Sequence, residues 1–208
     1  MNYPNLKEER KLWKKGYRRV VGLDEAGRGP LSGPVVAAAV LIQNTKYKIQ
    51  NTKIRDSKKL SVKKREDFYK ILTRHTTIKW GIGIVSEKVI DKINILEATK
   101  LAMVKAIKKL KRKPDFLLLD GNFKIDTSIL QKSVVKGDEK VFSCACASIL
   151  AKVYRDRIMQ RYNKKYPKYG FDLHKGYPTK SHLKMLKKCG PCKIHRKSFR
   201  PVKTCKVK

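Results

Sequence analysis

Acidic residues are scarce in this chain. Its 208 residues include 17 Asp and Glu against 52 Lys and Arg, which gives a formal net charge of +35. This excess is far larger than solubility requires, and it favours a polyanionic partner. A basic surface that is merely solvated is the alternative, so charge by itself identifies no function.

The sequence also lacks a long apolar run and a signal-peptide pattern. No apolar stretch reaches the length that crosses a bilayer, and the first 19 residues contain no apolar centre. The five cysteines are an odd number, which favours reduced thiols over a disulfide framework. We therefore expect a cytoplasmic protein with no membrane partner, and we expect it to be a monomer.

Hydrophobic periodicity predicts an α/β fold. Apolar or β-branched runs predict strands at residues 18–23, 35–42, 76–85, 116–119 and 133–136. Helical spacing and capping residues predict helices at about residues 61–74, 94–110, 143–161 and 180–188. Three early strands, followed by strands that alternate with helices, favour a mixed sheet flanked by helices.

The two ends of the chain are basic and carry little apolar sequence. Residues 1–17 are predicted to be a basic N-terminal extension, in which Leu6, Leu12 and Trp13 would line one face of a short helix. Residues 18–202 are predicted to form the main domain, and residues 203–208 a basic tail.

Acids follow three of the predicted strands. Asp24 and Glu25 come directly after the first strand, Asp120 after the fourth and Asp138 close after the fifth. If these strands are neighbours, the carboxylates converge, and such clusters bind hard divalent cations. Two ions about 4 Å apart can promote phosphodiester hydrolysis. Each acid taken alone could instead be a turn residue or a helix cap.

Glu25 is the least certain member of this group. Neighbouring residues on a regular strand point to opposite faces, so Glu25 must lie beyond the strand, reach round its end or contribute its backbone carbonyl. The loop that follows contains Gly27, Arg28 and Gly29, and its glycines allow a close approach of the backbone to a ligand. A Gly-Arg-Gly sequence taken alone is more often a plain turn.

Two further features have an ordinary and a functional interpretation. The sequence CGPC at residues 189–192 resembles a redox motif, and Cys189, Cys192, His195 and Cys205 have spacings compatible with zinc. Incidental thiols are the more ordinary interpretation of these cysteines. Asp156 is expected to be an ion-pair partner on a helix rather than a further metal ligand.

Seven motifs together resemble ribonuclease HII. They are DEAGRGPLSGPVVAAAV from residue 24, DSKKLS at 56–61, DGN at 120–122, KGD at 136–138, ASILAKVYRDR at 147–157, HKGYPT at 174–179 and HRKSFRPV at 195–202. The resemblance implies a ribonuclease H-like fold: a mixed five-stranded sheet with helices and a helical C-terminal part. It also implies an endonuclease that cuts the RNA strand of RNA–DNA hybrids, and cuts 5′ of single ribonucleotides in DNA.

The resemblance assigns roles to individual residues. Asp24, Glu25, Asp120 and Asp138 would be the catalytic carboxylates, and they would bind two Mg²⁺ or Mn²⁺ ions. The substrate contacts that it implies are Gly27, Arg28 and Gly29 at the 2′-hydroxyl, Tyr177 at the neighbouring deoxyribose, and Lys58 and Lys59 at phosphates. Further candidates for phosphate contacts are His174, Lys175, Arg196 and Lys197.

Three functions are compatible with these patterns. The first is the ribonuclease above, with a two-metal mechanism that leaves 3′-hydroxyl and 5′-phosphate ends. The second is a ribonuclease H that requires longer runs of RNA. The third is a non-enzymatic basic nucleic-acid-binding protein, which the charge suits but the acids at the strand ends do not.

Overall fold

A computed structural model describes residues 3–43 and 60–205. Lys58 and Lys59 fall outside these ranges. So does nearly all of the polar stretch at residues 43–53, for which the sequence predicts a loop or a hairpin. Within them, no helix is both long enough and apolar enough to cross a membrane.

Five strands form a mixed sheet in the order β3-β2-β1-β4-β5. The strands are β1 (Val20–Ala26), β2 (Val35–Ile42), β3 (Ile78–Val85), β4 (Phe116–Asp120) and β5 (Leu130–Val134). The first three pair antiparallel, as the tight loop between β1 and β2 predicts. By contrast, β4 lies parallel to both β1 and β5. The prediction of a mixed sheet flanked by helices is confirmed.

Helices cover both faces of this sheet. They are α1 (Lys7–Lys14), α2 (Val62–Arg74), α3 (Glu87–Lys108), α4 (Gly137–Lys140), α5 (Phe142–Lys165), α6 (Phe171–His174) and α7 (Lys180–Cys189). One face packs against α3, and the other packs against α5 and α2. Every residue of β2 is buried, because a strand covered on both faces has no polar side.

β1 and β5 differ most from their predicted limits. β1 does not end at Leu23 but continues to Ala26, because β2 still pairs with it there after the β4 pairing has stopped. β5 begins at Leu130, about three residues earlier than predicted. It is an edge strand with alternating, partly exposed side chains, so it lacks a continuous apolar run like that of β2.

Asn94 caps a helical segment, as predicted. It interrupts α3 with φ of 64°, and its side-chain oxygen accepts hydrogen bonds from the backbone N–H groups of Leu96 and Glu97. An N-cap side chain makes the same contact at the start of a helix. The segment before Asn94 is helical too, and the two segments join across this kink.

The N-terminal helix α1 packs onto the main body of the protein. Leu6 and Leu12 are buried, and Trp13 packs beside them, so the predicted apolar face is confirmed. Glu9 is fully buried and accepts a 2.8 Å hydrogen bond from the Ser143 N–H in the first turn of α5. A carboxylate at this end of a helix also complements the helix dipole.

Gly22 allows α5 to lie directly on β1. A Cβ at Gly22 would lie 2.4 Å from the Ser143 carbonyl carbon and hydroxyl oxygen, and 2.5 Å from the Cys144 nitrogen. Backbone atoms cannot move aside as a flexible side chain can. A larger residue at this position would therefore push α5 away from the sheet.

We predict that Gly22→Ala destabilises the protein by about 3 kcal/mol, which lowers Tm by roughly 6 to 12 °C. Gly29→Ala is the matched control, because a Cβ there meets only the Tyr177 ring at 3.6 Å. Its Tm should stay at or slightly above the wild-type value. Thermal unfolding measured by circular dichroism compares the two, and an equal effect of both substitutions would contradict the packing argument.

Candidate active site

Three carboxylates converge at one end of the sheet. Asp24, Asp120 and Asp138 each offer an oxygen, and these oxygens all lie within 4.8 Å of one another. Asp24 lies within β1 and Asp120 ends β4, but Asp138 lies in the first turn of α4 rather than at a strand end. Within residues 3–43 and 60–205, no other group of three His, Cys, Asp or Glu side chains converges in this way.

Strand pairing and one turn place these acids. Leu23 and Leu119 are partners in the parallel ladder, so the residues that follow them, Asp24 and Asp120, emerge side by side. Lys136 then adopts a left-handed conformation, with φ of 57°, which turns the chain from β5 into α4. The Asp120 carboxylate accepts a 2.7 Å hydrogen bond from the Gly137 N–H, which ties this turn to β4.

The surroundings of Asp24 destabilise the charged form of its side chain. The side chain is 4% exposed. Burial raises its pKa well above the usual range, and the charges of Glu25 and Asp120 raise it further. Hydrogen bonds from the Ser148 side chain and the Glu25 N–H oppose that rise only in part.

A divalent cation fits this donor set. Three carboxylates offer the hard oxygen ligands that Mg²⁺ and Mn²⁺ prefer, and a cation would offset the repulsion within the group. Glu25 is not part of the converging group, and its carboxylate lies 3.4 Å from the Arg28 guanidinium. Its assignment as a metal ligand stays a prediction.

The loop that follows β1 is held from beneath by two buried arginines. Arg196 donates to the carbonyls of Gly27 at 2.6 Å, Arg28 at 2.8 Å and Gly33 at 3.0 Å. Arg155 is equally buried. It donates to three more carbonyls, which belong to Ser32, Pro34 and Lys175. A side chain at Gly27 would collide with Arg155, so glycine is required there.

Two of the predicted phosphate contacts are wrong. Arg196 is fully buried beneath the loop, so it supports the backbone instead of meeting a phosphate. His174 is buried too, and both of its ring nitrogens bond to the backbone. The role of Arg155 was missed, because nothing in the sequence separates a buried arginine from the many exposed ones.

Arg28 and Tyr177, two of the candidate substrate residues, are exposed and lie at the glycine loop. Arg28 projects from the loop and lies 5.8 Å from the centroid of the Phe123 ring. The Tyr177 ring, 40% exposed, lies beside Gly29. The Arg28 guanidinium and the Tyr177 ring therefore flank the glycine loop, which begins three residues after Asp24. The contact of Arg28 with Phe123 was not predicted, because it depends on tertiary placement.

The zinc and redox interpretations of the cysteines gain no support. Cys189 is exposed, whereas Cys192 lies 3.2 Å from His195 Nδ1 and Cys205 donates to the Leu186 carbonyl. These residues do not form a metal-binding group within the described part of the chain. The expectation for Asp156 is confirmed: its carboxylate lies 2.7 Å from Lys152 and 3.7 Å from Arg65.

Comparisons with known proteins agree with this geometry. The family model described as Ribonuclease HII matches residues 21–202. The Ribonuclease HII of Chlamydia muridarum is 53% identical over 190 residues, covering 91% of this chain and 86% of that protein. The Ribonuclease HII of Bacillus licheniformis is 50% identical over 196 residues, covering 94% and 74%. The crystal structure of ribonuclease H2 from Pyrococcus horikoshii OT3 superimposes with a TM-score of 0.74 at 26% identity, covering 90% and 96%.

We predict that Asp24→Asn stabilises the metal-free protein by on the order of 1 kcal/mol, because it removes a buried charge from among like charges. The same change should abolish the rise in Tm that Mg²⁺ or Mn²⁺ gives the wild type. Differential scanning fluorimetry with EDTA and with each ion measures both effects.

Asp156→Asn is the matched control for that experiment. Its carboxylate lies between Lys152 and Arg65, so neutralising it should lower Tm while leaving the response to metal intact. If the metal-free Tm of Asp24→Asn were lower than that of the wild type, the Asp24 charge would not be destabilised by burial and by the neighbouring carboxylates.

We further predict that Arg196→Lys costs about 3 kcal/mol of stability, because a lysine keeps the charge but cannot reach three carbonyls at once. Nuclease activity should fall at least about tenfold as the glycine loop loses its position. Arg161→Lys, on the exposed surface of α5, is the control and should change neither quantity. A wild-type Tm for Arg196→Lys would exclude this supporting role.

Proposed function

The chain belongs to the ribonuclease HII family of RNase H endonucleases, and we propose that it cuts duplex DNA on the 5′ side of single embedded ribonucleotides. The RNA strand of a longer RNA–DNA hybrid is a second substrate on this proposal. Products would carry 3′-hydroxyl and 5′-phosphate ends. This activity suits ribonucleotide excision repair and primer removal.

The convergence of Asp24, Asp120 and Asp138 is the observation that carries the proposal. These three residues would hold two divalent ions, either Mg²⁺ or Mn²⁺, with Glu25 as a further candidate ligand. Bound ions would supply an activated water and neutralise charge on the leaving 3′-oxygen. Burial of Asp24 and its hydrogen bond from Ser148 would fix the carboxylate before the substrate arrives.

Residues of the glycine loop would select the ribonucleotide. The 2′-hydroxyl is the group that separates RNA from DNA, and a loop without side chains at Gly27 and Gly29 lets backbone atoms approach it. Arg28 would bind the adjacent phosphate through its exposed guanidinium. Tyr177 would pack on the neighbouring sugar, and Lys58 and Lys59 remain predicted phosphate contacts.

The basic surface would provide affinity that does not depend on sequence. With 52 Lys and Arg in the chain, many phosphates can be neutralised, so binding should weaken steeply as salt increases. A protein that only bound nucleic acid would gain nothing from three converging carboxylates, because they repel phosphates. The carboxylates therefore favour the enzyme over the non-catalytic alternative.

We predict cleavage at a single ribonucleotide within a DNA duplex in the presence of Mg²⁺ or Mn²⁺, and none with EDTA. Asp120→Asn and Asp138→Asn should each lower kcat/KM at least about 100-fold while keeping or strengthening substrate binding, because they reduce repulsion of phosphate. Asp126→Asn, an exposed acid close to Asp120 in sequence, is the control and should remain active.

Gel analysis of end-labelled duplexes gives the cut position and the chemistry of the ends, and a filter-binding assay gives affinity. Cleavage of long hybrids alone would point to a ribonuclease H that requires longer RNA. Full activity of either variant would remove its aspartate from the proposed metal site.

A further inference from the structure

Three of the four histidines in the chain form one buried cluster. His174, His182 and His195 are 9%, 0% and 1% exposed. The rings of His174 and His182 stack at 4.4 Å, and His182 Nε2 lies 3.1 Å from His195 Nε2. The cluster lies behind the Tyr177 segment and takes no part in the metal site.

Hydrogen bonds fix the protonation of the pair formed by His182 and His195. The Cys192 backbone N–H donates to His195 Nδ1 at 2.9 Å, so this nitrogen carries no proton. The Tyr177 carbonyl can only accept, so His182 Nδ1 donates to it at 2.9 Å. With both rings neutral, His195 Nε2 must donate to His182 Nε2. The bonds therefore run in one direction, from Cys192 through both rings to Tyr177.

His174 is fixed by the same reasoning. It accepts a 3.1 Å hydrogen bond from the Gly176 N–H at Nδ1, and Nε2 donates to the Tyr169 carbonyl at 2.8 Å. Two stacked, neutral histidines thus hold the backbone on both sides of the Tyr177 Cα. His174 binds the Gly176 N–H, and His182 binds the Tyr177 carbonyl.

This backbone determines where the exposed Tyr177 ring lies. The Gly176 carbonyl accepts a 2.8 Å hydrogen bond from the Leu31 N–H, which joins the segment to the loop after β1. The ring itself lies against Gly29. An aromatic face beside a basic loop is a common contact surface for nucleic acid.

We propose that His182, oriented by His195, is a positioning residue that holds Tyr177 against the glycine loop and so sets the preference for a single ribonucleotide in DNA over a continuous hybrid. This inference rests on the proposed function. Only the embedded ribonucleotide requires the enzyme to find a deoxyribose beside a ribose. A displaced Tyr177 would therefore reduce cleavage of that substrate more than cleavage of the hybrid.

The hydrogen bonds from His195 through His182 to the Tyr177 carbonyl can form only while both histidine rings are neutral. A proton added to His182 would place two N–H groups face to face in the 3.1 Å contact with His195. Burial is the main cause that lowers the pKa of both histidines to about 4; the charge of His174 also contributes for each of them, and that of His182 contributes for His195. The other titratable or charged groups that face the cluster are Cys192, Tyr169, Asp172 and Lys175.

The sign of the pH effect follows from these lowered pKa values. At pH 7 these histidines are neutral in the folded chain and mostly neutral in the unfolded chain. As the pH falls below about 6.5, these histidines become protonated in the unfolded chain but stay neutral in the folded chain. The free energy of unfolding therefore decreases towards pH 4.

The test compares kcat/KM on a duplex with one embedded ribonucleotide against kcat/KM on a continuous hybrid. His182→Leu should lower this ratio about tenfold, because it removes the donor to the Tyr177 carbonyl. His182→Asn should keep the ratio within about twofold, because its amide nitrogen can replace Nδ1 as the donor. His75→Asn, which changes the fourth histidine, is the control and should leave the ratio unchanged.

Tyr177→Ala should lower the ratio as well, and adding His182→Leu to it should cause no further change. An unchanged ratio in His182→Leu, or an additive loss in the double variant, would overturn the positioning role. A wild-type ratio in Tyr177→Ala would overturn it also, by removing the residue that His182 is said to position. Failure of the wild-type protein to cut at the embedded ribonucleotide would instead refute the proposed function.

Stability gives a second measurement if His182→Leu does not fold. Between pH 7 and pH 5, Tm of the wild type should fall more than Tm of His182→Asn, which lacks one of the buried rings. His75→Asn should follow the wild type. Identical pH dependence in the wild type and His182→Asn would show that His182 is not held neutral, and it would remove the basis of the proposal.

Discussion

The site depends on holding like-charged carboxylates together in a place where burial already disfavours their charge. The cluster cannot stabilise this arrangement by itself, so the surrounding fold must impose it. Parallel pairing of β1 with β4 fixes Asp24 beside Asp120, and the Gly137 N–H ties Asp120 to the turn that carries Asp138. A divalent cation would turn this unfavourable arrangement into a favourable one.

Close packing of α5 supports the arrangement from the opposite side. Gly22 lets the first turn of this helix touch β1, and Ser148, about one and a half turns later, reaches Asp24. Glu9 from α1 accepts a hydrogen bond from the first turn of α5. The N-terminal helix is thereby connected to the metal site through α5.

Much of the site could be predicted because it follows local patterns. Apolar runs that end in Asp24 and Asp120 mark strand ends, and strands that lie side by side bring such ends together. The helical position of Asp138 was not predicted, because it depends on a left-handed turn at Lys136. The roles of Arg155 and Arg196 depend on contacts with residues more than 120 positions away, which no local pattern records.

The two buried arginines explain how a strongly basic protein can build a precise loop. Each places its charge against backbone carbonyls, so it orients the peptide groups of the loop without consuming one of the scarce acids. Arg196 and His195 are adjacent, and the first holds the glycine loop while the second orients the ring that holds Tyr177. The sheet thus provides the carboxylates, and one C-terminal segment aligns both of the proposed substrate contacts beside them.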